Sequence, residues 1–509
     1  MRGRPRGITV GHLDPFFYPE SVAVIGASRE PGSVGHELLR VMVENQKSGL
    51  YKGRLYAVNP KAREPILGVP TYPSVTDLPE PVDLGVIVVP ARIVPAVVDE
   101  CGRRGIKHVI VISGGFAEVG GEGVELQEKL VEVAKKHGIR VVGPNCVGIV
   151  CPETGVDTMF LPYRKELGGR DLLSLPRPGP GNISLLTQSG AFGVACVDYM
   201  AGEGLGLAKF VSYGNKADID EVELMEYLAD DPKTRVIVIY AESIEEGRRF
   251  IEAARRTVPK KPVVVLKAGR TGAGARAASS HTAALAGADE VYSAAFRQAG
   301  VVRVYEVEEL FDVTKALSMQ PPAKGPRIAV LTDGGGAGVM TADELESRGA
   351  VVVQLSEETQ SRLRELMDRG VIPPISAVAN PVDVTGSATD DAFVESLRIL
   401  LDAPEADGVL VPTQPAPRLR GGNLEERVAF TARGVPPIGY KTYFLAPRSG
   451  ERAFEPVEVE ETGGGFALDN GLVRVEVDGA TGYASAVAAR LPGLEGRKGD
   501  RGGVRVCGF

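Results

Sequence analysis

The sequence predicts an α/β protein of three doubly wound lobes, followed by a short all-β piece. Three observations carry this prediction. Short, nearly continuous apolar runs alternate with amphipathic stretches long enough for crossover helices, as parallel strands buried on both faces require. Each of three series of runs opens with a strand that delivers a Gly- or Ser-rich turn into a helix, where backbone N–H groups face anions. From about residue 428 the pattern changes to all-β, with an Asn-Gly turn ahead of the alternating run Leu472 to Val477.

The first series, residues 12–150, contains SVAVIG (21–26), RLYAVNP (54–60), LGVIVVP (84–90), HVIVIS (108–113) and RVVGPN (140–145). Residues 151–182 are rich in Pro and Gly and read as a linker. The second series, 183–320, opens with NISLLTQSG (182–190). It continues through KFVSYGN (209–215), VIVIYAES (236–243), PVVVLKAG (262–269) and GVVRVYEV (300–307). The third, 325–412, holds RIAVLTDGGG (327–336), AVVVQLS (350–356) and DGVLVP (407–412). The all-β piece spans 428–490, and 491–509 reads as a disordered tail.

At roughly 150 residues per domain, 509 residues suggest three or four domains. The balance of 58 basic against 66 acidic residues gives a net charge of −8, which argues against a nucleic-acid binder needing a basic stripe. No apolar run reaches the ~20 residues of a membrane span. The opening MRGRPRGITVGH lacks a signal peptide's apolar stretch. Cys101, Cys146, Cys151, Cys196 and Cys507 make no disulfide framework in so long a chain. His12, His36, His108, His137 and His281 show no metal-ligand spacing, so no metal site is expected. A cytoplasmic protein, binding neither membrane nor nucleic acid, is the expectation.

The turn Gly26 to Gly35 invites a dinucleotide reading but departs from G-x-G-x-x-G, because Ser28 stands where the second glycine belongs. The second strand ends in Asn59-Pro60-Lys61, where a nicotinamide enzyme usually places an acid for the ribose. An amide and an ammonium there suit a ligand with extra phosphate on its adenosine, such as coenzyme A. They disfavour a nicotinamide-dependent oxidoreductase. On these residues alone, a tight turn without ligand stays open.

His281 lies in a stretch, 268–288, in which 13 of 21 residues are Gly or Ala, so that the backbone approaches other surfaces closely. A lone imidazole there, without metal partners, suits a nucleophile better than a core filler. An inconsequential loop histidine is the alternative. Gln188-Ser189-Gly190 opens a helix, and its N–H groups suit phosphate. Glu242 ends a central strand at the edge where ligands bind, or is an ordinary strand-end carboxylate. Gly214, Asn215 and Asp220 are weaker candidates, since SYGNKADIDE also reads as a turn and a helix cap.

The motifs FFYPESVAVIGAS, YAVNPK, DLGVIVVPA, ISGGFAEVG, GPNCVGI, LLTQSGAFG, SYGNKADIDE and SSHTAALAG occur in this order over roughly residues 14–411. Together they resemble the α portion of the NDP-forming acyl-CoA synthetases, relatives of the succinyl-CoA synthetase α subunit. The resemblance implies a Rossmann-like CoA-binding domain followed by flavodoxin-like lobes of the succinyl-CoA synthetase type. It implies that Gly26, Ser28, Gly35, Asn59, Pro60 and Lys61 line the CoA nucleotide, with Val89, Pro90, Ser113, Phe116, Glu118 and Asn145 nearby. It makes SSHTAALAG the phosphohistidine loop, with Glu242 hydrogen-bonding His281. It also implies the chemistry of an ADP-forming acetate–CoA-like ligase, in which acyl-CoA, phosphate and ADP interconvert with carboxylic acid, CoA and ATP through acyl phosphate and phosphohistidine.

No ATP-grasp segment is visible, so the expectation is that ATP or ADP and Mg²⁺ sit on a partner β subunit of a hetero-oligomer. The third lobe stops early after DGVLVP, which keeps a CoA-binding regulatory or scaffold protein open as the alternative. Residues 428–445 and 466–482 are similar to a β-sandwich piece of α-mannosidases of the glycoside hydrolase class. That piece lacks the metal-binding catalytic domain, so no glycosidase activity is expected.

Overall fold

The computed structural model describes residues 12–61, 64–167, 170–274, 276, 289–321 and 324–412, with the backbones of four strands beyond residue 457. Compactness divides the chain into two units, the second formed around those four strands.

The first lobe holds strands β1 (Ser21–Ile25), β2 (Arg54–Val58), β3 (Thr71–Tyr72), β4 (Leu84–Ile87), β5 (His108–Val111) and β6 (Arg140–Val142). They form one parallel sheet in the order β3-β2-β1-β4-β5-β6, the order of dinucleotide-binding folds. The period of two along β1 explains why the run is apolar throughout. Val22 and Val24 join a core with Leu38, Leu39 and Met42 of the helix Val34–Lys47. Ala23 and Ile25 join the opposite core with Val94 and Val98 of the helix Val94–Arg104 and Leu130 of the helix Glu122–His137.

The second sheet has seven strands in the order β15-β14-β13-β11-β12-β7-β8. Its parallel part is β11 (Pro180–Thr187), β12 (Leu207–Ser212), β13 (Val236–Ala241), β14 (Val263–Lys267) and β15 (Val302–Val304). An antiparallel edge is added by β7 (Gly148–Cys151) and β8 (Val156–Asp157). The stretch read as a linker therefore carries structure: β8, a hairpin of β9 (Arg164–Leu167) and β10 (Arg170–Leu173), and the start of β11. A buried ion pair organises it. Arg177 donates to Asp157 at 2.8 Å and to the carbonyls of Leu175 and Leu161 at 2.8 and 2.7 Å.

The core on the Val22/Val24 face continues through Ile149, Leu186, Ile219 and Ile237, so the first two lobes share one apolar cluster. The third lobe has its own core, around Ala329, Leu331, Leu363, Leu400 and Val409. Its short parallel strands β17 (Val351–Val352), β18 (Val382–Asp383) and β19 (Gly408–Leu410) all pair with β16 (Arg327–Thr332).

In the second unit β20 (Glu458–Thr462), β21 (Gly465–Asp469), β22 (Val473–Asp478) and β23 (Ala484–Ala489) form an antiparallel meander. The pairing of Asp469 with Arg474 matches the hairpin signal at Asn470-Gly471. The described strands make one sheet. The segment 428–445 and the tail 491–509 lie outside the described residues. No helix among the described residues is long and apolar enough to cross a membrane.

Candidate functional site

Both large sheets turn their carboxyl edges toward one cavity of about 700 Å³. Its walls come from the turns after β4 (Val88 to Ala91), β5 (Ile112 to Gly114) and β6 (Asn145 to Val147). The second lobe adds Gln188 to Ala191 after β11, Gly214 and Asn215 after β12, and Glu242 after β13. Val34 and Phe160 complete it. Ligands of open α/β sheets bind in such a crevice, beyond the strand ends.

The turn from Gly26 to Gly35 packs too closely for any side chain at its two ends. Gly26 has φ +100°, and a Cβ there would lie 2.9 Å from the Val88 carbonyl oxygen. A Cβ on Gly35 would lie 2.1 Å from the Gly26 carbonyl oxygen. Asn59 clasps this turn to the end of β2, its Nδ2 donating to the Ala27 carbonyl at 2.7 Å while its Oδ1 accepts from the Lys61 amide at 2.8 Å. Ser28 Oγ accepts from the Glu30 amide at 3.1 Å. The Ser28 carbonyl only accepts, so its 3.0 Å partner, Nδ1 of His36, carries the proton. Pro60 and Lys61 are exposed. These six residues make a turn outside the cavity lining, whereas Val89, Pro90, Ser113 and Asn145 belong to the lining.

Two expected CoA neighbours have other positions. The Phe116 side chain is fully buried in the first-lobe core, because it is the apolar anchor of its loop. Glu118 ties the loop after β5 to the second lobe. Its carboxylate accepts from the amides of Gly115 (2.5 Å) and Phe116 (3.1 Å) and from Nδ2 of Asn215 (2.5 Å). Burial pushes this carboxyl up, but the bonds from Asn215 and the two amides hold it below the usual glutamate range.

The second-lobe residues divide the work differently from the sequence expectation. The Gln188 amide donates to the Tyr240 carbonyl at 3.1 Å, inside the sheet. Its side chain holds the turn after β13: Oε1 accepts from the amides of Glu242 (2.8 Å) and Ser243 (3.0 Å), and Nε2 donates to Ser243 Oγ (3.2 Å). Gln188 thus shapes the site through its side chain, and its backbone N–H is taken by the sheet. Ser189 caps the helix Gly190–Gly202, its Oγ accepting from the Phe192 amide at 3.4 Å. Gly190 is pressed against Val147, 2.7 Å from where a Cβ would stand. Among the first-turn N–H groups, those of Gly190 and Ala191 head the helix where it meets the cavity.

Glu242 is half-buried and lines the cavity. Asp220 is a helix cap, accepting from the Glu223 amide at 2.8 Å. His281 lies outside the described residues. Cys146 reaches the wall but is inert: its Sγ donates to the Val111 carbonyl at 3.3 Å, and burial pushes the thiol up to about 12. The sequence reading missed Phe160, hidden in a Pro/Gly-rich stretch, and Val34, Val147 and Ala191, whose apolar character carries no chemical signal. It also missed Lys216, which touches the Glu242 turn through the Ser243 carbonyl at 2.9 Å.

Residues 20–152 match the CoA binding domain family, 180–317 the succinyl-CoA ligase like flavodoxin domain, and 328–416 the ligase-CoA domain. The chain is 39% identical over 450 residues to the acetate–CoA ligase (ADP-forming) II subunit alpha of Pyrococcus furiosus, covering 88% of this chain and 93% of that protein. It is 42% identical over 402 residues to the corresponding I subunit alpha, covering 78% and 82%. It matches the acetate–CoA ligase (ADP-forming) I of Archaeoglobus fulgidus at 44% over 407 residues, 80% of this chain but 56% of that longer protein. Among solved structures, the dinucleotide forming acetyl-coenzyme A synthetase 1 of Ca. Korarchaeum cryptofilum, in complex with phosphate and ADP, superposes with TM-score 0.70. It is 40% identical, over 79% of this chain and 82% of that one. The matched domains end at residue 416, so the likeness of 428–490 to a glycoside hydrolase sandwich finds no support among them.

Proposed function

The chain belongs to the ADP-forming acetate–CoA ligase family, and we propose that it is the α-type subunit of such an acid–thiol ligase. The observation that carries this reading is the shared cavity, where walls from a CoA-binding lobe meet the capped helix terminus at Gly190 and the carboxylate of Glu242. CoA lies with its nucleotide over the Gly26–Gly35 turn, its extra phosphate near Asn59, Pro60 and Lys61. Its thioester end enters between Val89, Pro90, Ser113 and Asn145.

A phosphate oxygen attacks the thioester carbonyl, the C–S bond breaks, and CoA leaves as the thiol with a proton. The amides of Gly190 and Ala191 hold the resulting acyl phosphate. An imidazole nitrogen of His281 then attacks phosphorus, the bond to the acyl oxygen breaks, and the small carboxylic acid departs. Glu242 orients that imidazole by accepting its other N–H, which leaves the attacking nitrogen unprotonated. Phosphohistidine finally transfers its phosphoryl group to ADP, and the sequence reverses to make acyl-CoA. ATP or ADP and Mg²⁺ are assigned to an ATP-grasp β subunit in a hetero-oligomer, and the reaction to the cytoplasm.

The test is acid-labile labelling of the purified chain by radioactive phosphate with a panel of acyl-CoAs, beside His281→Ala. Label on the wild type alone is the expected result. Label surviving in His281→Ala would overturn the assignment. CoA binding without label, even with an ATP-grasp partner and ATP, would leave a CoA-binding scaffold.

A further inference from the structure

The turn after β13 is held by side chains in place of backbone. The backbone leaves the sheet at Ala241, yet the Glu242 amide, the Ser243 amide and carbonyl, and the Ser243 hydroxyl all have partners. Gln188, at the end of β11, supplies three of those four bonds, and Lys216, just past β12, supplies the fourth through Nζ at 2.9 Å. All three side chains involved are nearly sealed from solvent. Lys216 is itself built for this task. Its backbone is left-handed at φ +46°, a conformation that costs free energy in any residue but glycine and persists only where the surroundings impose it. Its charge is matched by the buried carboxylate of Glu221 at 3.3 Å, with Glu245 at 3.8 Å on the solvent side.

We propose that Lys216 and Gln188 are positioning residues that set the Glu242 carboxylate at a fixed place relative to the helix terminus at Gly190. The geometry goes beyond ordinary packing because Gln188 directly precedes Ser189 and Gly190. One side chain therefore keys the carboxylate turn to the very helix whose N–H groups meet the cavity. A displacement of ~1 Å between catalytic groups costs up to about 10²-fold in rate, so a clamp of this kind acts on turnover more than on binding. The inference rests on Glu242 and His281 having the roles assigned above.

The test uses the full chain, acetyl-CoA and radioactive inorganic phosphate, and reads the initial rate of acid-labile labelling against acetyl-CoA concentration. Lys216→Met alone strands the Glu221 charge, so it is paired with Glu221→Gln to keep the interior neutral. The double variant is expected to keep its thermal midpoint and half-saturating acetyl-CoA, while the labelling rate falls about ten- to a hundredfold. Gln188→Leu leaves the Glu242 and Ser243 amides without an acceptor, so it is expected to lower the labelling rate and the thermal midpoint together, and the double variant is the one that decides. Lys216→Arg, which retains a donor for the Ser243 carbonyl, recovers most of the rate. A double variant that labels at the wild-type rate overturns the clamp, as does one whose rate falls only together with its midpoint. Glu242→Gln is the control that separates the two levels. If it labels as fast as wild type, or if wild type takes no label even with an ATP-grasp partner and ATP, the site reading itself fails and the clamp falls with it.

Discussion

Cys146 lines the cavity where CoA is proposed to lie, Glu118 ties the neighbouring loop to the second lobe, and both act by staying as they are. Cys146, Cys101 and Cys196 are buried thiols pushed up to about 12, and Cys151 is raised as well. At pH 8 a thiol of that kind is thiolate in only about one molecule in 10⁴. With Cys507 replaced by Ser, the native chain is therefore expected to react with a chromogenic disulfide reagent only on unfolding. Rapid reaction at Cys146 in the native state would contradict this. Glu118 is held below the usual carboxylate range, so its contribution to stability is present at neutral pH and is lost as pH falls through that range toward the lower folded value. Glu118→Gln places an amide NH₂ against backbone donors and is expected to cost about 1–3 kcal/mol at neutral pH. The gap between the thermal midpoints of wild type and variant should narrow on acidification from about pH 6 to about pH 3. A gap independent of pH would show that the carboxylate charge contributes nothing.

At the scale of elements, what the sequence disclosed follows from which physical signal each element carries. The strands buried on both faces were legible because their apolar runs are continuous, as in β1, β11 and β13. The turn ends Gly26 and Gly35 were legible because nothing larger fits there. The backbone of Gln188-Ser189-Gly190 was legible as a helix start, but the destination of the Gln188 side chain was not, since its partners lie 54 and 55 residues away in the turn after another strand. The stretch 151–182 misled because strands of two to four residues among prolines and glycines have no periodicity to read. Its order depends on the buried pair of Arg177 and Asp157, whose side chains are 7% and 2% exposed. Arg177→Met is expected to destabilise the chain by about 3–5 kcal/mol, because it leaves a buried carboxylate without its cation. Adding Asp157→Asn should restore part of that loss in chemical denaturation. Equal stability of Arg177→Met and wild type would mean that the pair is dispensable.

Across the whole molecule, the distribution of apolar cores sets which parts depend on one another. The first two lobes share a cluster in which Val22 and Leu38 are continuous with Ile149, Leu186 and Ile237, and Glu118 bonds Asn215 across the same boundary. The third lobe buries Ala329, Leu331, Leu400 and Val409 among themselves. A chain ended after Gln320 is therefore expected to unfold cooperatively and to bind CoA as the full chain does. A chain ended after residue 152 would expose the face of the shared cluster that the second lobe now covers, and is expected to aggregate. Calorimetry of CoA binding to the two truncated chains decides the matter. If the shorter one folds and binds alone, the lobes are independent and the cavity between them is a meeting of finished parts. If it fails while the longer one binds, the cavity is formed in the same folding step as the core beneath it, and substitutions such as Glu118→Gln should weaken both together.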